Sequence, residues 1–126
     1  MPEDECTVQR VGGSVVVTMP AEIDAMNSDG IREVLLSASG PGVPDLIVDM
    51  SRTTFCDSTG VHAVIAAHRE GAVTGTRLRL VAVAVRRIFA LVGADLVMPI
   101  YPTLEAALAD TPSATAGPGA PGDKRD

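Results

Sequence analysis

The sequence predicts an α/β domain: a mostly parallel, mixed β-sheet that begins with an N-terminal hairpin and carries about four helices. Three observations point there. Two short β-branched stretches flank Gly12-Gly13. After them, short apolar runs alternate with segments whose apolar residues recur every three or four positions. The 126 residues contain 46% apolar and 21% charged residues, enough for one ordinary core.

The elements follow in order. Thr7 to Val11 alternates, Val15 to Thr18 is β-branched throughout, and adjacent glycines suit a tight turn that needs positive φ. Ile31, Val34, Leu35 and Ala38 share one helical face, with Asn27 or Ser28 as cap and Gly40-Pro41 as terminator. Asp45 to Met50 is short and nearly all apolar, as in a central parallel strand covered on both faces. A loop spans Ser51 to Asp57. Val61, Val64, Ile65 and His68 then mark a second helix that runs out between Gly71 and Gly75. Leu78 to Val81 reads as a strand. Val85, Ile88, Phe89 and Val92 read as a third helix with Gly93 as its cap. Val97 to Tyr101 reads as a last strand, which Pro99 places at an edge. Thr103 caps a final helix carrying Leu104, Ala107 and Leu108. The domain therefore covers about residues 6–110. Residues 1–5 form a short acidic extension. Residues 111–126 form a tail with three prolines, three glycines and no large apolar side chain, expected to stay flexible.

Composition excludes several functions. A net charge of −6 and a pI near 4.7 argue against direct nucleic-acid binding. Aromatics at 2% leave few stacking platforms. No apolar run is long enough for a membrane span, and the acidic N-terminus does not read as an export signal, so the cytoplasm is the expected compartment. Cys6 and Cys56 form no disulfide framework and read as small apolar side chains. No spacing of Cys and His suggests a metal, and no cofactor motif is present.

One stretch carries chemistry: Thr54-Phe55-Cys56-Asp57-Ser58-Thr59-Gly60-Val61, between the central strand and the second helix. It puts Ser58 and Thr59 at a helix N-terminus, where free N–H groups and the helix dipole accept negative charge. A hydroxyl there can carry a phosphoryl group, worth roughly −1.5 to −2 charge near neutral pH. An ordinary N-cap is the plain alternative for the same residues. Catalysis is disfavoured. Cys56 lacks the arginine that a cysteine phosphatase places after five intervening residues, since His62 stands there. A Ser58–His62 hydrolytic pair lacks the first glycine of a nucleophile elbow, where Cys56 stands.

The segment resembles the signature of the STAS family, the sulfate-transporter and anti-sigma-factor-antagonist domain. Five elements match in order: Glu22-Ile23-Asp24; Leu46 to Met50 with Phe55 to Gly60; Arg77 to Val81; Val85 to Phe89; and Tyr101 to Leu108. The chain departs from the family pattern at Ala21, Thr59, His62 and Val83-Ala84. The resemblance implies a stand-alone anti-sigma factor antagonist that is a substrate and not an enzyme. Ser58 would be the phosphoacceptor. Asp24, Asp57, Ser58, Thr59, Gly60 and His62 would form the partner surface. The implied partners are an ATP-binding anti-sigma factor serine kinase and a PP2C-type serine phosphatase. The other implied use is a scaffold or ligand-binding module that is never phosphorylated.

Overall fold

The computed structural model describes residues 6–110. The two terminal segments expected above lie outside them. Strands β1 (Thr7–Val11) and β2 (Ser14–Thr18) form the antiparallel hairpin. Gly12 takes the left-handed conformation at φ +60°, while Gly13 does not, so one glycine and not two meets the turn's demand. The chain continues through β3 (Glu22–Ile23), α1 (Ser28–Ala38), β4 (Asp45–Met50), β5 (Phe55–Cys56), α2 (Ser58–Thr74) and β6 (Arg77–Ala82). It closes with α3 (Arg86–Leu91), a 3-10 turn (Ala94–Leu96), β7 (Ile100–Tyr101) and α4 (Leu104–Ala109).

The main sheet has the order β1-β2-β4-β6-β7, with every pairing after the hairpin parallel. β4 lies at its centre and all six of its residues are buried, as the apolar run predicted. Side chains alternate between faces along each strand. Val15, Val17, Leu46, Val48, Leu78 and Leu80 pack with Ile31 and Leu35 of α1, Val61, Val64 and Ala67 of α2, and Phe89 of α3. Val16, Ile47 and Val81 point the other way and pack with Ala107, Leu104 and Leu108 of α4.

The α4 side also holds a buried polar network. Asp45 accepts hydrogen bonds from Ser14 Oγ at 2.5 Å and Arg79 Nε at 3.1 Å, and a further one from Arg79 Nη2. Arg79 Nη1 donates to the Ala107 carbonyl in α4. Arg79 is fully buried, so the guanidinium is satisfied by the strand carboxylate and the helix backbone together.

Several boundaries differ from the sequence expectation. Asn27 stands at the α1 N-cap position, yet its side chain makes no cap bond. It bridges backward instead, accepting from Asp24 N–H and donating to the Glu22 carbonyl. Gly71 lies within α2; a Cβ there would sit 2.5 Å from the Thr76 carbonyl oxygen. The helix ends at Gly75, left-handed at φ +92°, at the far end of the expected Gly71 to Gly75 span. α3 stops before Val92, which is exposed. The expected strand from Val97 shrinks to Ile100–Tyr101, because the chain after Gly93 first makes a 3-10 turn that buries Ala94.

Candidate functional site

The loop from Ser51 to Asp57 is not irregular throughout. β3 and β5 form a separate two-stranded parallel ladder, Glu22 opposite Phe55 and Ile23 opposite Cys56. It is extended on both sides by backbone bonds, Thr54 N–H to the Ala21 carbonyl at 2.8 Å and Asp57 N–H to the Ile23 carbonyl at 3.1 Å. The buried Thr53 hydroxyl adds a bond to the Pro20 carbonyl at 2.8 Å. Parallel strands leave a ladder in the same direction. The entrances of α1 and α2, at Asp24 and Asp57, are thereby brought to one end of the molecule.

Asp57 caps α2. Its Oδ1 accepts from Thr59 N–H at 2.9 Å, Gly60 N–H at 3.3 Å and the Thr59 hydroxyl at 2.5 Å. These bonds, the hydroxyl's foremost, hold the carboxyl below its ordinary range. Asp24 performs a similar task at α1 by different atoms. Its carboxylate accepts from Met26 N–H at 2.9 Å, and its carbonyl accepts from Asn27 and Ser28 N–H.

The two hydroxyls are thus in different states. Thr59 is half-buried and committed to Asp57. Ser58, the first residue of α2, is exposed, and its hydroxyl has no hydrogen bond among the described residues. Gly60 is required by space. A Cβ there would lie 2.6 Å from both Cys56 Sγ and Ile23 Cγ2, so only glycine lets α2 begin directly on the β3–β5 ladder. Cys56 is buried beneath it. Burial, with Asp57 adding to it, pushes the thiol up to about 11, leaving no thiolate for nucleophilic work near neutral pH.

His62 is exposed and lines a groove of about 370 Å³ between α1 and α2. The α1 wall is Ser28, Asp29 and Arg32; Thr59, Ala63 and Ala66 share the α2 wall with His62. Sequence reasoning missed Asp29 and Arg32. Their spacing marks an exposed face of α1, and nothing in the sequence tells that α2 lies beside it. Met26, which the sequence reading did not name, and Phe55, which it named only within the motif stretch, leave apolar side chains 92% and 52% exposed at the two helix entrances. Among the described residues, no His, Cys, Asp and Glu side chains gather as a metal site, and no helix is long and apolar enough to cross a membrane.

The STAS domain profile matches residues 5–107, most of the chain. The chain belongs to the STAS domain family. Among solved structures it is similar to an anti-sigma factor antagonist from Mycobacterium paratuberculosis, at 29% identity and a TM-score of 0.71, covering 86% of this chain and 95% of that one. It is similar to SpoIIAA, an anti-sigma factor antagonist, in its unphosphorylated form: 26% identity, TM-score 0.66, covering 82% and 93%. It is also similar to the phosphorylated form of SpoIIAA, described as a Bacillus cell fate determinant: 25% identity, TM-score 0.62, covering 83% and 97%. Comparison with curated proteins finds no match. The fold is thus that of the STAS domain seen in anti-sigma factor antagonists, with four helices packed on a five-stranded mixed sheet among the described residues.

Proposed function

We propose that this STAS protein is a cytoplasmic anti-sigma factor antagonist that works as a partner switch, with Ser58 as its phosphoacceptor. Unphosphorylated, it captures an anti-sigma factor serine kinase and frees a sigma factor. The kinase transfers the γ-phosphoryl group of ATP to Ser58 Oγ; the O–H proton leaves, a P–O bond forms and ADP departs. A PP2C-type phosphatase reverses the modification by hydrolysis.

One observation carries this reading: of the two adjacent hydroxyls, Ser58 is exposed and unbonded while Thr59 is tied to the helix cap. A kinase can reach the first without dismantling α2. The docking surface would be the end where α1 and α2 begin, comprising Asp24, Asp57, Ser58, Thr59, Gly60 and His62, with exposed Met26 and Phe55 as apolar anchors. New negative charge in the middle of that surface opposes capture by like-charge repulsion and desolvation. In this reading Ser58 supplies a substrate hydroxyl; its neighbours with chemistry are otherwise engaged, the Asp57 carboxylate by the helix cap and Cys56 as a buried, protonated thiol.

Intact mass after incubation with an anti-sigma factor kinase and ATP tests the assignment. One phosphate adds to wild type and to Thr59→Val, and none to Ser58→Ala. Phosphate on Ser58→Ala would overturn it. Calorimetry gives the second arm: Ser58→Asp weakens capture by at least about tenfold, while Ser58→Ala binds as wild type does.

A further inference from the structure

The groove between α1 and α2 is lined by two basic side chains, Arg32 and His62, and Ser58 stands at its rim, next to the lining residue Thr59. His62 follows Ser58 by four positions, one turn on the same face, where Cβ atoms stand about 5–6 Å apart. Side chains on a helix lean toward its N-terminus, so the imidazole leans back over the turn that carries Ser58. Arg32 faces it from the opposite wall. Among the described residues Arg32 makes no hydrogen bond or ion pair, although Asp29 shares its wall. Its forked donors are therefore free for a planar set of anionic oxygens.

We infer that Arg32 and His62 form an intramolecular seat for the phosphoryl group once Ser58 carries it. This rests on Ser58 as the phosphoacceptor and assigns what happens to the group afterwards. The unmodified Ser58 hydroxyl makes no hydrogen bond among the described residues; phosphoserine adds three acceptor oxygens on a longer arm. The acidic groups at this end are Glu22, Asp24, Asp29 and Asp57. Asp24 and Asp57 are turned to the backbone N–H groups at the helix entrances, and Asp29 shares the groove. Arg32 and His62 thus provide the attraction, and Asp29 opposes it. Seating the phosphate would close the groove at the moment the docking surface is switched off, fixing where the new charge is displayed.

The test installs phosphoserine at position 58 during translation of the full chain, so no kinase is needed. Phosphorus NMR then follows the second ionisation of the phosphate with pH. In wild type the midpoint falls below the ordinary value near 6 by about half a pH unit or more. Arg32→Gln returns it toward that value, Arg32→Lys restores part of the effect, and Asp29→Asn lowers the midpoint further. Proton NMR of His62 gives the reciprocal reading: its midpoint is higher with phosphoserine than with serine at position 58. Equal phosphate midpoints in wild type, Arg32→Gln and His62→Gln, with an unmoved His62, would overturn the seat. That result would leave Ser58 as acceptor intact, whereas a kinase that ignores Ser58 would fail the earlier assignment without touching these titrations.

Discussion

At the scale of single residues, the site is built by unequal treatment of neighbours with similar chemistry. Ser58 and Thr59 are both hydroxyls, but one caps through Asp57 and the other faces solvent. The Asp57 carboxyl lies below its ordinary value of 3.8 because the Thr59 hydroxyl and two N–H groups bind its charged form. A carboxyl lowered in the folded state adds stability above its unfolded value and loses that contribution as pH falls through the folded value. Thr59→Val should therefore raise the Asp57 midpoint, as read by carbon NMR of the carboxyl, and weaken the protein near neutral pH more than near pH 2. Gly60→Ala forces a methyl group into Cys56 and Ile23. It should cost about 1–3 kcal/mol in urea unfolding, with no change at the Ser58 hydroxyl itself. With its thiol near 11, Cys56 should react with iodoacetamide at pH 8 roughly a hundredfold more slowly than an unperturbed cysteine, until the fold is opened. The Asp-Ser-Thr-Gly string was legible in the sequence, but the reason for its glycine was not. That reason is a 2.6 Å approach to a side chain 37 positions earlier, Ile23.

At the scale of elements, the periodic segments were read well and the shortest pieces poorly. β4 declares itself by a continuous apolar run and α2 by its helical period. β3 and β5 have two residues each and declare nothing, although they aim both helix entrances at one end. α4 is similarly short, with six residues, and Ala107 is its one fully buried apolar side chain. Two polar devices hold it. Thr103 accepts from Ala106 N–H at 3.0 Å, so Thr103→Ala should cost about 1 kcal/mol. Arg79 reaches from the sheet to the Ala107 carbonyl while paired with Asp45. Arg79→Met leaves the Asp45 carboxylate buried without its partner and should cost about 3–5 kcal/mol; adding Asp45→Asn should recover much of that loss, measured as a double-mutant cycle in urea.

At the scale of the whole molecule, the sheet is covered unequally: three helices on one face and the short α4 on the other. The proposed docking end belongs to the better-covered side, where α1 and α2 are fixed by the main core. A chain ended at Asp110 retains every packing contact and hydrogen bond described here. It should melt in one cooperative transition within a few degrees of the full chain, checked by calorimetry; a loss of cooperativity would move the domain boundary into residues 111–126.

The sequence alone determined the order of the main-sheet strands and the four helices, the central place of β4, the edge position of β7 and the segment that carries the site, but not the short strands β3 and β5. Those are local properties, fixed by apolar spacing and turn chemistry within a few residues. Only the tertiary structure decided that α1 lies beside α2, that Arg32 faces His62, that Gly60 touches Ile23 and that Arg79 is buried against Asp45. Each of these joins residues far apart in the chain, and their meeting depends on β2, β4 and β6, and separately β3 and β5, pairing in parallel register, a choice no short stretch makes by itself.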